Sequence, residues 1–148
     1  MTLSVSSAFD GGNIRLVAIE GDRIDLEIAK DHKSDFYQWF YFRVTGGGGR
    51  ALELRILNCA GAAYPHGWEN YRGCMSYDRE EWERIDTSYA DGVLTMNVTP
   101  ASDTVWFAYF APYTMERHHE MVASAASYPG LAYRSLGQTL DGQELDYL

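Results

Sequence analysis

The chain has 148 residues, 46% of them apolar, 22% charged and 14% aromatic, which supports one domain with a real core and excludes a disordered segment. A formal net charge of −9, from 12 Lys and Arg against 21 Asp and Glu with no basic run, excludes the phosphate-backbone contacts that nucleic-acid binding needs. The first residues carry neither a basic nor an apolar leader region, and no later apolar stretch reaches membrane-spanning length; the expected partners include no nucleic acid and no membrane, and the expected address is the cytoplasm.

In chain order, residues 14–20 and 23–29 alternate with period two around Gly21-Asp22 and read as a hairpin, with Ile24, Leu26 and Ile28 on one face and Asp25 and Glu27 on the other. Residues 37–45 and 51–58 flank Gly46-Gly-Gly-Gly49, which predicts a second hairpin with a flexible turn. These glycines lack the following Lys-Ser/Thr and the helix of a phosphate loop, so no ligand is assigned to them. Residues 60–73 read as a long loop, and residues 75–77, 82–87, 93–99 and 104–110 as strands, with a strong turn signal at Asp91-Gly92. Cys59 and Cys74 lack CxxC spacing and are expected to be free, buried thiols. Asn97-Val-Thr99, formally a glycosylation sequon, reads as an ordinary strand end.

Thr114 stands where an N-cap belongs, Glu116 suits the first turn, and Met115, His118, His119, Val122, Ala125 and Ala126 recur at helical spacing until Tyr128-Pro129-Gly130. Residues 131–136 and 144–148 then read as strands around Asp141-Gly142, and the sequence ends inside an element, which predicts continuation. About eight short strands without strand-helix alternation give a mainly β fold class, an antiparallel β-sandwich with one late helix. Residues 39–42 and 105–110 present large side chains to both faces. Burying each such side chain stabilises by about 1.5–3 kcal/mol, so something must cover the second face: the chain's own helix and loops, or a neighbouring domain.

Three candidate chemistries stand in the sequence. His66 and Glu69, in Tyr64-Pro-His-Gly-Trp-Glu69, have the His-x-x-Glu spacing of a zinc site, but a third ligand and a base would have to come from His118, His119 and Glu120. Neighbouring helical residues such as His118 and His119 point about 100° apart, which argues against that set. Asp78, Glu80, Glu81 and Glu83 are interleaved with Arg79 and Arg84 and read as surface charge rather than a glycosidase pair; His32 reads as a solvated turn residue. Trp39, Trp68, Trp82 and Trp106 raise the alternative of a stand-alone binding module that stacks surface aromatics on a sugar or peptide. Trp39 and Trp106 lie in strand centres and read as core, which leaves Trp68 and Trp82 for a platform.

Six blocks in order, FDGGNI from Phe9, WFYFRV from Trp39, ILNC from Ile56, SYDREEWERI from Ser76, FAYFAPYT from Phe107 and LGQTLDGQELDYL from Leu136, resemble the amino-terminal part of the cytosolic carboxypeptidases. These are zinc metallocarboxypeptidases related to carboxypeptidase A. The resemblance implies a β-sandwich domain over residues 1–129 and, over 130–148, the first strands of an α/β catalytic domain. It implies that the zinc ligands and the glutamate base lie after Leu148, so no catalytic or metal-binding residue is expected in this chain. The zinc would be a cofactor of the parent's catalytic domain, the substrate a peptide or protein C-terminus, and the immediate partner the chain's own catalytic domain. The expected role here is accessory, supporting that domain and its cleft rim. The seam is expected at Pro112 and Tyr113, where proline fixes the strand's exit angle, together with Met115, His118, His119 and Val122 of the helix.

Overall fold

The computed structural model describes residues 2–148. Among them the strands are, in chain order, β1 (Ser4–Ser6), β2 (Arg15–Glu20), β3 (Arg23–Glu27), β4 (Tyr41–Thr45), β5 (Leu52–Ile56), β6 (Cys74–Ser76), β7 (Glu83–Arg84), β8 (Thr87–Ala90), β9 (Val93–Val98), β10 (Thr104–Ala108), β11 (Arg134–Gln138) and β12 (Glu144–Tyr147). The helix α1 spans Met115–Ala126. The chain divides into two compact units, one ending at Pro112 and the other Tyr113–Leu148. This division lies upstream of the boundary expected at 129/130 and groups α1 with β11 and β12.

The first unit is the sandwich. One sheet has the order β1-β4-β10-β6-β7 and the other β2-β3-β5-β9-β8. Period-two alternation builds the core between them: Phe42, Val44, Val105 and Phe107 come from the first sheet, and Ile24, Leu26, Leu54, Ile56, Leu94 and Met96 from the second, all fully buried. The predicted faces of β3 are therefore present, with Ile24 and Leu26 inward and Asp25 against Arg55 on the outer side.

The second predicted hairpin is not formed. β4 pairs with β1 and β10, whereas β5 lies in the opposite sheet, parallel to β3 and antiparallel to β9. Gly46 to Gly49 carry the chain from one sheet to the other, and strands that flank a turn do not pair when that turn changes layers. Nor is the segment a loose turn. Gly46 has φ +80°, and a Cβ there would stand 2.5 Å from the Thr2 carbonyl oxygen. The predicted strand over 82–87 also divides, into β7 of the first sheet and β8 of the second. The β3–β5 pair is the parallel exception in an otherwise antiparallel sandwich, because β4 takes the intervening chain into the other layer.

The outer face of the first sheet is covered at its centre by the chain's own loops. Tyr41, 1% exposed, is bracketed edge-on by Phe9 at 4.8 Å and Trp82 at 5.8 Å, and its hydroxyl accepts from Arg79 Nε at 3.1 Å. In the second unit Thr114 caps α1 as expected, its hydroxyl accepting from the Arg117 amide, and β11 and β12 form an antiparallel hairpin.

Candidate functional site

The tryptophans sort differently from the sequence reading. Trp68 is core, 1% exposed, stacked near Phe40 and donating its indole N–H to the Cys59 carbonyl at 3.0 Å. It is not available to a surface platform; its position in a Gly- and Pro-rich loop gave no periodic signal of burial. Trp39 and Trp106 are half-buried on the outer face rather than in the core, and Trp82 is half-buried with its N–H given to the Arg79 carbonyl. Trp39 gives its own N–H to the Gly11 carbonyl at 2.7 Å.

His66 lies in a single 3-10 turn, Pro65–Trp68, with Glu69 directly after it, and both side chains are exposed. Among the described residues no three His, Cys, Asp or Glu side chains come together in a way that would hold a metal ion. Asp78 is a turn acceptor: the amides of Glu80 and Glu81 donate to its Oδ1 at 2.8 and 2.9 Å and hold its carboxyl below the usual range. It lines, with Met75, Tyr77, Glu81 and Trp82, an open groove of about 320 Å³. Both cysteines are free and buried, as expected; burial pushes the Cys59 thiol up to about 12 and raises that of Cys74.

The residues expected at a domain seam fall in both units. Pro112 is buried at the end of the first, following Phe110, which is 49% exposed and stands edge-on to Trp39 at 5.0 Å. In the second unit Tyr113 is 59% exposed, with the Arg117 guanidinium 5.6 Å over its ring and its hydroxyl on Met121 Sδ at 3.4 Å. Met115 is half-buried at the start of α1. His118 Nε2 lies 2.5 Å from Asp146 Oδ2. His119 and Val122 line a groove of about 290 Å³ whose other wall includes Tyr133, Glu144 and Asp146.

The sequence reading had no place for Tyr133, Glu144 and Asp146, although the signal was present. Glu144 and Asp146 are two apart on a strand, and pairing of Ser135 with Asp146 sets Tyr133 on the same side. The Tyr133 hydroxyl lies 2.6 Å from Glu144 Oε2 and 2.8 Å from Asp146 Oδ1. His118 and Tyr133 together hold the Asp146 carboxyl below the usual range. No helix among the described residues is long and apolar enough to cross a membrane.

The fold and these sites define a class: a two-sheet β-sandwich domain that continues into a helix–hairpin unit. Residues 5–110 match the cytosolic carboxypeptidase N-terminal domain family. An uncharacterized protein of Zymomonas mobilis is 53% identical over 148 residues, which is 100% of this chain and 39% of that protein. Cytosolic carboxypeptidase 1 of Mus musculus is 27% identical over 176 residues, covering 95% of this chain and 14% of that protein. The crystal structure of a metallo-carboxypeptidase from Burkholderia cenocepacia superimposes with a TM-score of 0.92 at 38% identity, covering 98% of this chain and 38% of that one. The chain belongs to the cytosolic carboxypeptidase N-terminal domain family, as the ordered aromatic blocks implied, and it spans well under half the length of these relatives.

Proposed function

We propose that this chain is the amino-terminal accessory portion of a cytoplasmic zinc metallocarboxypeptidase, a peptide hydrolase, and that it supports the catalytic domain and shapes the rim of its cleft. The observation that carries the reading is the family match over residues 5–110 together with likeness to a metallo-carboxypeptidase of which this chain covers 38%. The described residues do not fit a zinc site, because exposed His66 and Glu69 have no third ligand. No step of peptide hydrolysis is assigned to them. Zinc would be held by residues outside this chain and would there activate water. The seam with the catalytic domain would use Pro112, Tyr113, Met115, His118, His119 and Val122, with exposed Phe110 beside them in sequence. Under this reading residues 130–148 begin the catalytic domain, and α1 is the element that meets its first hairpin.

The test compares this chain with the whole protein its gene encodes, assaying metal content and release of C-terminal residues from a peptide panel. The whole protein is expected to hold one zinc and release C-terminal residues, and the chain to do neither. One tightly held zinc in the isolated chain, lost in His66→Ala, overturns the reading.

A further inference from the structure

Arg43 stands at the middle of β4 and makes no side-chain hydrogen bond or ion pair among the described residues. Its neighbours Phe42 and Val44 are core, so alternation sends Arg43 to the outer face of the first sheet. There it belongs to a row across four strands, Ser6, Arg43, Trp106 and Ser76, which holds no Asp or Glu. Arg43 is half-buried, and its Nε is closed off from solvent without a hydrogen-bond partner. Arg23 and Arg55 share that last feature, but each has the Asp25 carboxylate near its Nε, at 3.7 and 3.0 Å. Nothing plays that part for Arg43. The hydroxyls around it are engaged elsewhere: Ser4 Oγ with Thr45 Oγ1 at 2.5 Å, Ser6 Oγ by the Ala8 amide, and Ser76 Oγ by the amides of Asp78 and Arg79.

We propose that Arg43 is a polar anchor for the catalytic domain, whose partner is an Asp or Glu side chain of that domain beyond Leu148. The proposal rests on the accessory reading above and adds to it a place on the sheet face, away from the seam residues around Pro112 and α1. The chemistry of the group selects the partner: a planar guanidinium offers parallel N–H donors that match a carboxylate. A half-buried cation without a counter-charge costs stability, and a carboxylate brought to it meets a donor that has already lost part of its water. Apolar surface for the same contact lies on the same face, where Trp39 and Phe110 stand edge-on at 5.0 Å and Phe110 is 49% exposed. In the Burkholderia cenocepacia metallo-carboxypeptidase this chain covers 38% of the polypeptide, which leaves more than half of it to supply the acid.

Amide hydrogen exchange in the loops that border this face, residues 9–12 and 79–82, tests the anchor when the 148-residue chain is compared with the whole protein its gene encodes. Both loops should exchange more slowly in the whole protein. Arg43→Met keeps the length of the side chain and removes the charge; in the whole protein it strands the facing carboxylate and should speed exchange of these loops at least about tenfold. In the chain alone it removes only an unpaired cation, so exchange should be unchanged and the urea midpoint should hold or rise. Arg43→Lys, which keeps the charge without the fork, should fall between Arg43→Met and the natural sequence. Equal exchange of the loops in the chain and the whole protein, no effect of Arg43→Met in the whole protein, or the same acceleration in both forms overturns the anchor. A dimer of the 148-residue chain that Arg43→Met dissociates also overturns it, by putting a second copy on this face. Zinc content and peptide release are read on the same whole protein: their absence overturns the accessory reading, whereas their presence with no effect of Arg43→Met on loop exchange overturns the anchor alone.

Discussion

Tyr41 shows how one residue can be apolar core and polar anchor on the solvent side of a sheet. Its ring is bracketed by Phe9 and Trp82, while its hydroxyl accepts from Arg79 Nε. The two roles separate by mutation. Tyr41→Phe keeps the ring and loses only the acceptor, leaving Arg79 able to turn to water; urea titration should show a loss of about 0.5–1.5 kcal/mol. Tyr41→Ala also empties the bracket and should cost about 3–5 kcal/mol. A cost for Tyr41→Phe equal to that for Tyr41→Ala would mean that the hydroxyl, not the ring, organises the loop. Cys59 carries a second prediction. Its thiol is raised to about 12 by burial, so the folded state favours the protonated form. Its contribution to stability is complete below the ordinary thiol value of 9.0 and is lost as pH rises through about 12. Tyr71, raised in the same direction by burial, adds to this alkaline loss. Cys59→Ala should flatten part of the decline in urea stability between pH 9 and 11, and folded Cys59 should resist alkylation at pH 8. An unchanged slope in Cys59→Ala would assign the whole decline to other groups.

At the level of elements, alternation located most strands but not their partners. Residues 23–29 showed which side of β3 faces the core because every second residue is apolar, and that information is local. Whether Gly46 to Gly49 close a hairpin or cross between layers is decided by the surface each strand finds, which no short window contains. The helix was legible because cap, spacing and stop signals coincide at Thr114, His118–Val122 and Pro129. Its groove partner was missed: period two sets Glu144 and Asp146 on one face, but no short window says that α1 lies against that face. The Asp91-Gly92 turn joins β8 and β9 with φ of +51° and +81°, the left-handed pair that a two-residue hairpin requires. A Cβ on Gly92 would also stand 2.8 Å from Ala60 Cβ. Gly92→Ala should therefore destabilise by more than about 1 kcal/mol, through backbone strain and the clash together. Adding Ala60→Gly should recover the clash but not the strain. Full recovery in the double variant would show that the left-handed backbone there costs nothing measurable.

Across the whole molecule, one of the two units carries every tryptophan. Trp39, Trp68, Trp82 and Trp106 all lie in the unit that ends at Pro112, so tryptophan emission follows the sandwich alone. The second unit is short, no residue of its helix is fully buried and its hairpin is largely exposed; a segment of that size rarely holds a stable core by itself. It should exchange its amides well before the sandwich does. Tyr113 stands at the start of this second unit, more than half exposed, and makes no contribution to the sandwich core. Tyr113→Ala should consequently shift the tryptophan-monitored unfolding of this chain by no more than about 0.5 kcal/mol. If Tyr113 belongs to the proposed seam, the same substitution in the whole protein should cost more than this, because a ring that fills an interdomain surface leaves a gap there. Differential scanning calorimetry of both forms separates the cases. A larger loss in the whole protein alone supports a seam at Tyr113, whereas equal losses in the two forms would place its contribution inside this chain and remove Tyr113 from the seam.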